Sequence, residues 1–291
     1  MKPPAFEYAA PRTVAEAARL LRTHDGEAKL LAGGQSLMPL LAMRLSRPTL
    51  LVDLGRVEGL DYIRDEGAEI AIGAMTTKTT VERSALVRER VPLFAEATHL
   101  IGHPQIRNRG TVGGSMAHAD PAAEYPAAAL VLGARMRIAG EGGERTVEAS
   151  DFFVMALTTA LAPDEILTEV RVPVQTPGSG WSIVEVSRRH GDFAMAGAAV
   201  TLSLAAGRVE GPRIVLFGVG AAALRAHAAE QALAGQSLDA AALRRAAEHA
   251  RAAAIDPLSD LHASSEYRQH LAGVLVERAL AQAVSRAGGS S

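Results

Sequence analysis

The chain has 291 residues, 48% of them hydrophobic, and sets 30 Lys and Arg against 32 Asp and Glu for a formal charge of −2. That is apolar sequence enough for about two packed domains, without the basic surplus that holds a polyanion, so nucleic-acid binding is set aside. With no cysteine, the chain has no disulfide, no thiol nucleophile and no thiolate-held iron–sulfur cluster of its own.

The opening residues, MKPPAFEYAAPRTVAEAARLL, lack the cationic start and apolar run of a signal peptide. No stretch approaches the roughly 18 apolar residues of a membrane span, and the expected location is the cytoplasm. Thr13 with Glu16 forms a capping-box start to a helix over about Val14 to Thr23. A strand at Lys29 to Ala32, a glycine pair, a helix from Ser36 to Arg44 and a buried strand at Thr49 to Leu54 complete a small α/β unit. A second unit follows, with a strand at Ala68 to Ile72, a helix from about Thr80 and another from Pro92 to Ile101. After a glycine-rich segment come a helix from Ala122 to Leu132 and strands at Arg135 to Ala139 and Thr168 to Val172. Turn formers at Pro173 to Gly180 mark a boundary. Beyond it Trp181 to Ser187, Ala196 to Leu204 and Arg213 to Val219 read as an antiparallel meander, followed by Ala-rich helices.

Two segments carry chemistry. Leu31-Ala32-Gly33-Gly34-Gln35-Ser36 runs from strand through a glycine pair to a helix start, and Arg107-Asn108-Arg109-Gly110-Thr111-Val112-Gly113-Gly114-Ser115 again places glycines before a small hydroxyl residue. Glycines leave backbone N–H groups open to close approach by an anion, and Ser36, Thr111 and Ser115 add hydroxyl donors. One such segment reads equally as a tight turn with a helix cap. Two of them, from adjacent units, can grip a pyrophosphate from both sides without a lysine.

Other patterns are weaker. Gly218-Val219-Gly220-Ala221-Ala222-Ala223 after an apolar strand has the outline of a dinucleotide turn, but no second parallel strand ending in an acid follows, so it reads as a strand passing into a helix. His99 and His103 are four apart, yet Gly102 and Pro104 break any helix between them, and both read as loop residues. His118 and Asp120 allow an acid–base pair, but Asp120 before Pro121 reads first as a helix N-cap.

Four segments in order, Leu31 to Pro39, Ile106 to Ser115, Ala117 to Glu124 and Arg188 to Ala194, resemble the FAD-binding medium subunit of the molybdenum hydroxylases, of the carbon monoxide dehydrogenase and xanthine dehydrogenase type. The resemblance spans essentially the whole chain. It implies an α+β protein in which two α/β subdomains form an FAD-binding domain of the PCMH or vanillyl-alcohol-oxidase type, followed by a C-terminal domain with a three-stranded antiparallel sheet and helices. The expected limits are 1–176, with subdomains at about 1–57 and 58–176, and 177–291.

By the same resemblance, Ala32, Gly33, Gly34, Gln35 and Ser36 and the segment Thr111, Val112, Gly113, Gly114 and Ser115 embrace the pyrophosphate of a non-covalent FAD. Glu124 and Leu167 match an acidic and an apolar contact. Gln35 stands where many relatives have His, and Phe193 where the carbon monoxide dehydrogenases carry a Tyr near the flavin ring; Phe still packs there but brings no hydroxyl. The implied work is electron transfer, with no catalytic or metal-binding residue in this chain. The molybdopterin cofactor would lie in a large partner and 2Fe-2S clusters in a small one, in a dimer of heterotrimers. The alternative is a free-standing FAD-dependent oxidoreductase acting directly on a small organic substrate, for which the C-terminal sheet and helices leave little room.

Overall fold

Apolar runs too short for helices and bounded by turn formers build the first unit, as seen in a computed structural model that describes residues 2–237, 239–254 and 257–288. It consists of β1 (Glu7–Ala9), α1 (Val14–Thr23), β2 (Ala28–Leu31), α2 (Leu37–Ala42) and β3 (Leu50–Asp53). The strands form a parallel sheet in the order β1-β3-β2, with Glu7 and Ala28 both opposite Leu50. Thr13 caps α1, its Oγ1 accepting from the Glu16 N–H at 3.1 Å, and Glu16 reaches back to the Arg12 N–H. Helix α1 buries Ala17, Ala18 and Leu21 against that sheet.

The second unit opens with β4 (Ile63–Asp65) and β5 (Glu69–Gly73), then α3 (Lys78–Arg83), α4 (Ala85–Arg90), α5 (Pro92–Leu100), α6 (Pro104–Arg107), α7 (Val112–His118) and α8 (Glu124–Leu132). It continues through β6 (Arg135–Gly140), β7 (Gly143–Glu148), α9 (Ala149–Phe152), the small hairpin β8 (Phe153–Met155) and β9 (Thr158–Thr159), and β10 (Ile166–Pro173). Strands β4-β5-β10-β6-β7 form an antiparallel sheet. Every residue of α8 is buried, because the helix lies between this sheet and the C-terminal one, and Tyr125 stacks on Phe94 with ring centroids 4.5 Å apart.

The C-terminal unit is β11 (Gly180–Val186), β12 (Ala196–Ala205), β13 (Arg208–Phe217), β14 (Leu224–Arg225), α10 (His227–Leu233), α11 (Ala240–Ala253) and α12 (Ser265–Gly288). The three expected strands pair in sequence, and a two-residue fourth strand is added at the β13 edge. Helix α12 covers β11 and β12 with Leu271, Leu275, Ala279 and Ala283. Among the described residues no helix is long and apolar enough to cross a membrane. Residues 289–291 of the expected C-terminal domain lie outside the described residues.

Three expectations are corrected. The segment after Phe217 does not open a helix: Gly218 takes φ +71°, the chain doubles back, and β14 pairs antiparallel with β13, so no dinucleotide turn forms. Asp120 does not cap α8; its Oδ1 accepts from the Ala122 N–H at 2.8 Å in a turn two residues upstream of the helix. The helix expected from about Thr80 is two short helices that meet at Ser84, whose hydroxyl accepts from the Val87 N–H.

Candidate functional site

The ends of β2 and β5 bring the two glycine segments together. After β5 the chain turns at Ala74–Thr77 and pairs with the second segment: the Lys78 N–H donates to the Gly110 carbonyl at 2.8 Å, and the Val112 N–H to the Thr76 carbonyl at 2.9 Å. Arg107, buried, anchors this segment from behind, with its guanidinium bonded to Glu82 and to the carbonyls of Ile101 and Gly102. The first segment then presses against the second. A β-carbon on Gly33 would lie 2.2 Å from the Arg109 carbonyl oxygen, so only glycine permits the approach.

Between the two segments, the β8–β9 hairpin and the β11–β12 loop lies a cavity of about 700 Å³. Ala32, Gly33, Gly34, Gln35, Ser36, Thr111, Gly113, Gly114, Ser115, Glu124, Leu167 and Phe193 all line it. Val112 does not; it is fully buried in the core beneath the segment. Phe193 is 64% exposed at the rim, as is Leu157 of the hairpin turn at 57%. Gly191, at φ +87°, lets the β11–β12 loop lie against the backbone of Gly102, and the Gly218 N–H donates to Pro121. These two contacts attach the C-terminal unit to the cavity wall.

The two segments are not alike as anion sites. Gly33, Gly34, Gln35 and Ser36 donate no backbone hydrogen bond to any described residue, and Gly34 sits at φ +74°. This is an open row of donors. In the second segment only the Thr111 N–H is left; the others are already used, Val112 to Thr76, Gly113 to Ala74, Gly114 to the Thr111 hydroxyl and Ser115 to the Thr111 carbonyl. The expectation that both segments offer free backbone donors is corrected. Gly113 and Gly114 serve packing instead, since a β-carbon on Gly113 would lie 2.4 Å from that of Ala74, and one on Gly114 2.8 Å from the Thr111 Oγ1.

Sequence reasoning missed Lys78. It follows the turn after β5, is 8% exposed and lines the cavity, with its Nζ 3.4 Å from the Ser115 hydroxyl. Its signal was a lone cation in the otherwise uncharged run Gly73 to Val81. Burial lowers the Lys78 pKa, opposed by the charge of Glu124, and burial likewise raises that of Glu124. His118 and Asp120 also line the cavity, and burial holds the imidazole below its usual value. His99 instead faces Glu82, its Nδ1 3.2 Å from the carboxylate, away from the cavity.

An elongated cofactor with an anionic middle and an apolar ring fits these walls: acceptor-free N–H groups and a buried ammonium stand inside, and Phe193 and Leu157 stand at the mouth.

The comparisons agree with that fit. Residues 4–175 match the family described as the FAD binding domain in molybdopterin dehydrogenase, and residues 181–283 the CO dehydrogenase flavoprotein C-terminal domain. The chain is 43% identical over 288 residues to the 6-hydroxypseudooxynicotine dehydrogenase complex subunit alpha of Paenarthrobacter nicotinovorans, covering 99% of this chain and 97% of the relative. It is 41% identical over 286 residues to the carbon monoxide dehydrogenase medium chain of Hydrogenophaga pseudoflava, covering 98% and 99%. A solved carbon monoxide dehydrogenase from Hydrogenophaga pseudoflava, lacking the Mo-pyranopterin moiety of its cofactor, superposes with a TM-score of 0.96 at 43% identity over 98% of this chain and 99% of that one.

Proposed function

Because the chain belongs to the FAD-binding medium subunits of the carbon monoxide dehydrogenase and xanthine dehydrogenase type of molybdenum hydroxylase, we propose that it is the electron-transfer subunit of such a complex, accepting electrons from iron–sulfur clusters of a partner and passing them to an external acceptor. The observation that carries this reading is the cavity walled by both glycine segments, with four successive backbone N–H groups that lack acceptors among the described residues. FAD, when bound, supplies the redox exchange. The chain's own residues bind and orient it: Gly33 to Ser36 through backbone donors, Thr111 and Ser115 through hydroxyls, Ala32, Glu124 and Leu167 along the wall, and Phe193 by packing at the rim, while Gly113 and Gly114 let the second segment pack against Ala74, Thr111 and Ala32.

The FAD domain in this reading is 1–176, with subdomains meeting near residue 57, and 177–291 is the C-terminal domain that closes the cavity through its β11–β12 loop. With no cysteine in the chain, the clusters belong to a small partner and the molybdenum cofactor to a large one, in a dimer of heterotrimers. Exposed Leu157, Met155 and Val154 on the β8–β9 hairpin and Phe193 on the β11–β12 loop are the apolar surface that such a partner would cover. Co-expression with a large molybdopterin-type chain and a small cysteine-rich chain, followed by size-exclusion chromatography, tests this. One co-eluting complex carrying flavin and iron is expected. A flavoprotein that elutes alone and turns over an organic substrate at full rate overturns the subunit reading in favour of a free-standing oxidoreductase.

A further inference from the structure

The cavity has one wall rich in free donors and one whose backbone donors are spent but for the Thr111 N–H. Gly33, Gly34, Gln35 and Ser36 supply the first, while the N–H groups of residues 112–115 are bonded within the chain. A diphosphate held by the first wall alone would leave its second face against a segment whose one unspent backbone donor is the Thr111 N–H. Lys78 stands at that face. Its backbone is fixed on both sides of the Thr77 to Thr111 pairing, which sets the root of the side chain beside the second segment.

The ammonium has three donors. Its hydrogen-bond partner among the described residues is the Ser115 hydroxyl at a long 3.4 Å, and its other contact is the face of the Tyr125 ring, 5.4 Å from the centroid. No described carboxylate lies within ion-pair distance; Glu124 acts on it only through space. A buried lysine with unused donors in a cavity is costly unless an acceptor arrives.

We propose that Lys78 is the cation that neutralises the diphosphate of the bound dinucleotide, its ammonium standing in, on the second side of the cradle, for the backbone donors that residues 112–115 spend on Ala74, Thr76 and Thr111. The inference rests on the reading that this cavity takes FAD. It changes how the second segment works: Thr111 and Ser115 contribute hydroxyls, the glycines contribute space, and the positive charge comes from a residue outside either glycine motif.

The test uses the full chain stripped of flavin, with FAD, ADP and adenosine as probes. The wild-type chain is expected to bind FAD, and to bind ADP about ten- to a hundred-fold more tightly than adenosine, the range that charge-assisted hydrogen bonds to phosphate supply. In Lys78→Met that gap should narrow about ten-fold, what remains coming from the Gly33 to Ser36 donors, FAD affinity should fall by a similar factor, and adenosine affinity should stay unchanged. Should Lys78→Met fail to fold by circular dichroism, Lys78→Gln, which removes the charge and keeps a polar end, carries the same comparison. Unchanged ADP and FAD affinities in a folded variant overturn the role given to Lys78 and leave the cavity reading standing. An equal loss for adenosine also overturns it, since that marks a collapsed wall. A wild-type chain that binds neither FAD nor ADP overturns the cavity reading itself, and the proposal with it.

Discussion

At Gly33 the space that a β-carbon would need is filled by the Arg109 carbonyl oxygen. Gly33→Ala must therefore part the two glycine segments, and it is expected to destabilise the chain by about 1–3 kcal/mol and to release flavin, measured as unfolding midpoint and bound-flavin absorbance. Gly114 acts differently: its φ is not left-handed, and its side faces Thr111 Oγ1 and the Ala32 side chain. Gly114→Val should displace the Thr111 hydroxyl and lower FAD affinity at least ten-fold, with the circular dichroism spectrum retained. Glu185 on β11 is pushed up to about 8 by burial and by the nearby charge of Glu124, and its Oε2 has no hydrogen-bond partner. Its folded-state pKa is thus raised above the ordinary 4.5. The stability that its protonated form contributes is full below that value and is lost as pH rises towards about 8. Glu185→Gln should match the wild-type melting temperature near pH 5 and exceed it progressively up to pH 8. The glycine motifs were legible because glycine is a sparse, position-specific signal. Lys78 was not, because nothing in sequence says that a lysine after a turn will be enclosed.

Among the elements, those with a strong apolar pattern were legible: α1, α5, β3, β6 and the long strands of the C-terminal sheet fall close to their expected places. Strand β7 escaped notice because its residues are almost all exposed and carry no apolar alternation, and β1 and β4 because three residues are too few to show a period. The glycine run 113–114 reads as loop but lies inside α7, where it is tolerated because α7 packs too tightly on Ala74 for any larger residue. Helix α12 depends on one buried side chain. Arg268 donates to the carbonyls of Met195 and Gly218 and to Asp260, joining the helix to the ends of β12 and β13. Arg268→Met leaves those carbonyls unpaired and should cost about 3 kcal/mol in denaturant unfolding. A change below roughly 0.5 kcal/mol would show that apolar packing alone seats the helix.

For the whole molecule, the arrangement is a parallel three-stranded unit and an antiparallel five-stranded unit that both line one cavity, to which the C-terminal unit adds its β11–β12 loop. Each unit contributes something the others lack: the first its row of free N–H groups, the second hydroxyls and a buried ammonium, the third an apolar rim residue on a loop held by Gly191. This division suits an FAD-binding medium subunit of a molybdenum hydroxylase. The central claim is that this cavity holds one FAD without a covalent bond. Acid precipitation of the purified chain, followed by an absorbance spectrum of supernatant and pellet, measures it directly. About one FAD per chain released into the supernatant is the predicted result; flavin retained in the pellet, or a properly folded chain that carries none and takes none up, would contradict it.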